Sequence, residues 1–76
     1  MIRDDEFTPF EFVTFVLINI FEFDTEEAYD TALRIQDRGH SVVYSADRSI
    51  VVTLVDQARK IAETAGQAGF VIESVP

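Results

Sequence analysis

Cysteine is absent from the chain, so neither a disulfide scaffold nor a thiolate zinc site can be built. Tryptophan is absent as well, and there is a single histidine, His40. Glycine and proline are scarce, at three and two residues, which excludes collagen-like and low-complexity chains. No stretch reaches the roughly 18 apolar residues that a membrane span needs. No glycine-rich phosphate loop occurs, and with no cysteine and one histidine the usual nucleophile and base pairings are missing, so no enzymatic activity is expected. Acids crowd positions 4 to 6 where a secretory signal would be basic, and a cytoplasmic location is expected.

What is present is globular in character: 76 residues, 47% hydrophobic and 26% charged. That is too apolar for a disordered chain and fits one domain, residues 1–76. A chain of this size buries only about 60% of the surface its unfolded form exposes, so the core is expected to be thin. The net charge of −8 is unevenly spread. Residues 1–30 carry nine acids and one base, Arg3, whereas residues 31–76 carry five of each. An acidic surface repels nucleic acid and anionic membrane, so neither is an expected partner, and a charged partner at this end should bring a positive group.

The segment Phe7-Thr8-Pro9-Phe10-Glu11-Phe12 reads as a helix start. Thr8 is placed to cap, Pro9 to take the first helical position, Glu11 to close a capping box and Phe7 to staple onto Phe12. Val13, Val16, Leu17 and Ile20 then form an apolar stripe that Phe12 and Phe15 widen. A second helix opens at Asp24 with Glu27 in the capping-box position, carries Ala28, Ala32 and Ile35 inward, and ends at Gly39. Residues 40–45 read as a strand around Val42, Val43 and Tyr44, with His40 an exposed starting residue. The β-branched run Ser49–Thr53 would allow a hairpin, but no turn interrupts it before the helical segment Asp56–Ala65. A third helix from Asp47 is therefore expected, its face formed by Ile50, Leu54 or Val55, Ala58, Ile61, Ala62 and Ala65. The glycines at 66 and 69 break the chain before a last strand, Phe70–Ile72, and a strand stub is expected at Met1–Arg3.

Asp4-Asp5-Glu6-Phe7-Thr8-Pro9-Phe10-Glu11-Phe12-Val13 resembles the motif Asn-Asp-Asp-aromatic-Thr-Pro-Met-Glu-Phe-Val of the ClpS adaptors, and Phe21, Asp24, Ala28, Gly39 and Thr53 continue the match without gaps. The resemblance implies an α+β fold, a small antiparallel sheet packed on three helices. It also implies a non-enzymatic adaptor that binds N-degrons, proteins whose first residue is Leu, Phe, Tyr or Trp, and passes them to a Clp AAA+ unfoldase and its protease. In that family a polar cluster holds the terminal α-amine and an apolar pocket takes the first side chain.

Carried over by position, the resemblance assigns the amine to Asp4, Asp5 and Gln36, and the side-chain pocket to Thr8, Phe10, Val13, Ala32, Ile35 and Phe70. Asp4 replaces an Asn, Phe10 a gating Met, Ala32 a larger residue and Gln36 a His. Ser49 and Leu54 stand where the family often has the Glu and Lys that dock on the unfoldase, and the family's N-terminal extension has no counterpart here, so binding is better supported than delivery. The acids Asp4, Asp5, Glu6 and Glu11 fit no EF-hand spacing, and neither metal nor cofactor is expected. A first strand cut to Ile2–Arg3 is expected to leave open sheet backbone through which two copies could pair. The alternative function is a protein-interaction or structural domain of the same fold that has lost degron binding.

Overall fold

The computed structural model describes residues 1–5, 8–67 and 69–75. The elements run β1 (Ile2–Arg3), α1 (Phe10–Asn19), α2 (Thr25–Arg38), β2 (His40–Ser41), α3 (Arg48–Thr64) and β3 (Val71–Ile72). The sheet order is β2-β1-β3, antiparallel throughout. This is the α+β arrangement expected, three helices on a small sheet.

Ile2 lies opposite Ser41 on one side and Ile72 on the other. The Met1 amine donates to the Glu73 carbonyl at 2.8 Å, and the Glu73 amide donates to the Met1 carbonyl at 3.0 Å. Met1 and Glu73 are thus a hydrogen-bonded pair, so Ile2 and Ile72 form the adjacent non-bonded pair, in which side chains approach more closely. Both are fully buried, with Val16 and Leu17 of α1 beside them as the largest enclosed side chains. Arg59 of α3 donates to the outward-facing Ile72 carbonyl at 2.8 Å, which satisfies an acceptor on an edge strand. The Arg3–Glu73 ion pair at 2.7 Å is exposed and contributes at most about 1 kcal/mol.

α2 begins and ends where its residue types direct. Asp24 accepts from the Glu27 amide at 2.8 Å, and Gly39 closes the helix at φ 87°, a left-handed conformation that side chains strain. The Glu27 carboxyl returns to Asp24, and their hydrogen bond and mutual repulsion raise its pKa above the ordinary carboxylate value. Ala28, Thr31, Ala32 and Ile35 face inward.

Three expectations are corrected. Thr8 does not cap α1: Pro9 takes the cap position with extended ψ 148°, and its carbonyl accepts from Phe12 and Val13 at 3.0 and 3.3 Å. The helix starts one residue later than expected, so Thr8 stands too far back and Glu11 too far forward for a capping box. The Phe7–Phe12 staple falls outside the described residues. The strand expected at residues 40–45 is paired only at His40–Ser41, because β1 offers two partner residues and the ladder ends with them. Val42 beyond it is 65% exposed. The face of α3 does not include Ile50, which is 47% exposed, or Ala65, which lies past the helix end. Val55, Ala58 and Ala62 are buried, with Val51 and Leu54 packed against the core. Ile2–Arg3 is the central strand, and the sheet edges belong to β2 and β3.

The expected third helix does form through Ser49–Thr53. Burying its apolar stripe outweighs the weak strand preference of β-branched residues, and the Thr53 hydroxyl is satisfied at the Ser49 carbonyl, 2.9 Å away. Among the described residues no helix is long and apolar enough to cross a membrane.

Candidate functional site

Three elements meet around Asp4, Asp5 and Thr8. The Asp4 amide donates to the Gly39 carbonyl at 2.8 Å, which pins the chain to the C-terminal end of α2. Asp5 reaches the turn before β3: the Cβ that a side chain at Gly69 would add lies 3.2 Å from Asp5 Oδ2. Thr8 stands just before α1. The corner therefore gathers the end of α2, the start of α1 and the approach to β3.

Its polar chemistry is unfinished. Asp5 Oδ2 and Thr8 Oγ1 are both buried and find no hydrogen-bond partner among the described residues. A buried polar atom without a partner costs about 1–3 kcal/mol, more when the group is charged. Two such atoms lie close together in the sequence, and neither finds a donor among the described residues. Thr8 can donate or accept, whereas an ionised Asp5 can only accept, so the pair suits a ligand rich in N–H groups.

The other amine-site residues are placed less tightly. Asp4 is exposed, and Gln36 is exposed on the last turn of α2, three residues before the Gly39 carbonyl that holds Asp4. Gln36 looks onto an open hollow of mixed charge with Asp30, Leu33, Arg34, Asp37 and Arg38. Among the described residues no hydrogen bond joins Gln36 to either acid.

Of the side-chain pocket residues, Phe10 and Val13 are half-buried on α1, and Ala32 and Ile35 are buried on α2. Ala32 lies outside the contiguous core that contains Ile35 and Phe70. Phe70 is buried with its ring edge-on to Phe12, centroids 5.4 Å apart. The sequence reading missed Tyr29: its ring meets Phe10 edge-on at 5.2 Å and fixes the orientation of that side chain from α2. An exposed aromatic one residue after the buried Ala28 was the available signal.

The most apolar surface groove lies elsewhere. Phe12, Phe15, Ile61 and Ala65 line about 460 Å³ between α1 and α3, with Lys60 at its rim. It shares only Phe12 with the neighbourhood of the pocket, and apolar lining alone does not make it the site. Ser49 is exposed, and Leu54 packs on the core instead of presenting a docking side chain. Among the described residues no three acids or histidines gather closely enough to hold a metal ion.

Three helices laid on a three-stranded antiparallel sheet define a small α+β domain. The family model described as ATP-dependent Clp protease adaptor protein ClpS matches residues 1–72, and the chain belongs to the ClpS family. It is 35% identical over 63 residues to the ATP-dependent Clp protease adapter protein ClpS of Leptothrix cholodnii, covering 83% of this chain and 55% of that one. The protein of the same name in Paracidovorax citrulli is 38% identical over 63 residues, covering 83% and 52%. The Burkholderia cenocepacia protein is 33% identical over 75 residues, covering 99% and 69%. The chain thus spans about half the length of the first two relatives. No solved structure matches it significantly.

Proposed function

We propose that this chain is a non-enzymatic, cytoplasmic adaptor domain that binds N-terminal degrons beginning with Leu, Phe, Tyr or Trp for delivery to a Clp-type AAA+ protease. The observation that carries this reading is the buried, unpartnered pair Asp5 Oδ2 and Thr8 Oγ1. A protonated α-amine, pKa about 8, brings three N–H donors and a positive charge to that corner. Asp5 binds the charge, Asp4 adds a second carboxylate from its position beside Gly39, and the Gln36 carbonyl accepts from the last turn of α2. The first side chain of the degron enters between α1 and α2, among Phe10, Val13, Ala32 and Ile35, with Phe70 behind. Delivery is supported by the family and by the adapter names of the relatives.

One observation favours the rival reading, an interaction domain of this fold without degron binding: Ile35 and Phe70 are already packed into the core. Fluorescence anisotropy with a Phe-initiated peptide and its N-acetylated twin separates the two. The proposal expects the free peptide to bind and acetylation to abolish binding. Equal affinity for both peptides rules out amine recognition.

A further inference from the structure

The glycines of this chain are needed for different reasons. Gly39 and Gly66 have φ of 87° and 76°, where side chains are strained, and a Cβ on either would meet nothing within 4 Å. Gly69 is the reverse case. It is not among the residues of positive φ, so its backbone does not call for glycine, yet its added Cβ would stand 3.2 Å from Asp5 Oδ2. What glycine supplies at position 69 is room, and the atom filling that room is one of the two buried oxygens without a partner.

We propose that Gly69 is a positioning residue for amine binding: its missing side chain leaves the seat in which Asp5 Oδ2 rests, and that seat sets the direction in which the carboxylate faces an incoming N–H group. This rests on the degron-binding reading above. A methyl group at position 69 is closer than an ordinary carbon–oxygen contact, so one partner must give by a few tenths of an ångström. The backbone before Asp5 is held by the Asp4 amide on the Gly39 carbonyl, 2.8 Å away, so the adjustment falls on the carboxylate itself. Rotating it re-aims both oxygens, and charge-assisted hydrogen bonds weaken steeply as their angle departs from linear. The methyl also covers part of Oδ2 and takes space that a donor would use. Gly69 is separated from Asp5 by more than sixty residues, and its chain neighbour Phe70 stands behind the first side chain's proposed pocket, so the Asp5→Ala background is what separates an effect on the amine from an effect on the pocket.

The test is a double-mutant cycle read with the free and acetylated Phe-initiated peptides. Gly69→Ala should weaken binding of the free peptide about three- to tenfold and leave the acetylated peptide unchanged, without lowering the unfolding midpoint. In the Asp5→Ala background the same substitution should have no further effect, because the group it acts through is gone. A Gly69→Ala variant that binds the free peptide as tightly as the parent overturns the inference. So does an equal loss in the Asp5→Ala background, which would mean a general disturbance of the turn. A parent protein with no preference for the free amine overturns the degron reading, and the inference falls with it.

Discussion

Leu17→Ala should cost about 3 kcal/mol of stability, within the 2–5 kcal/mol range for buried leucines. Leu17 is fully buried in α1 and belongs with Val16, Ile2 and Ile72 to one core cluster. Truncation removes apolar contact area and leaves a cavity that neighbouring elements on both sides prevent from collapsing. A domain of this length has a total stability of roughly 4–11 kcal/mol, so the loss is a large fraction of the whole. Urea unfolding followed by circular dichroism should show the midpoint falling by about 2 M with an unchanged slope. Phe15→Ala on the same helix is the control. Phe15 is 47% exposed, and its truncation should cost well under half as much. A Leu17 midpoint within about 0.5 M of the parent would mean that the centre of the core lies elsewhere.

Asp5→Ala should weaken binding of a Phe-initiated peptide by more than about 1.5 kcal/mol, or at least tenfold, the scale of a hydrogen bond to a charged group. The stability effect should be small or of opposite sign. Asp5 Oδ2 is buried without a partner among the described residues, so removing it relieves a cost of folding. A residue kept for structure would behave the other way, losing stability first and binding only in consequence. Anisotropy titration and thermal unfolding of the same preparation check both halves. A variant that binds as tightly as the parent removes Asp5 from the site.

The parts of the fold legible in the sequence are those fixed by local chemistry. Asp24 and Gly39 bound α2 because a carboxylate satisfies the first-turn amides and glycine tolerates the left-handed terminus. α3 was legible for a different reason, the absence of any turn between Ser49 and Ala65. What was not legible depends on distant partners. Residues 42–45 have strand propensity, but pairing requires backbone from β1, which is used up at Ser41. Thr8 has the residue type of a cap, but the extended ψ of Pro9 moves the helix start past it.

The candidate site divides in the same way. Asp5 and Thr8 were singled out by residue type and resemblance, and the structure leaves their oxygens buried and unpartnered. Gly69 read only as a chain breaker, because its contact with Asp5 closes across nearly the whole chain. Tyr29 was not singled out in the sequence, because its packing on Phe10 exists only once α1 and α2 are side by side. Its hydroxyphenyl ring gives Phe10 a fixed neighbour that helix periodicity alone could not reveal.

The central claim is that the corner holding Asp4, Asp5 and Thr8 is the seat of a terminal amine. A crystal structure of this domain with a Phe-initiated peptide tests it most directly. The terminal nitrogen should lie about 2.7–3.0 Å from an Asp5 carboxylate oxygen, with the Phe side chain between α1 and α2 against Val13 and Ala32. A peptide bound with its amine in solvent, or in the groove lined by Phe15 and Ile61 while Asp5 Oδ2 still lacks a partner, would contradict the account.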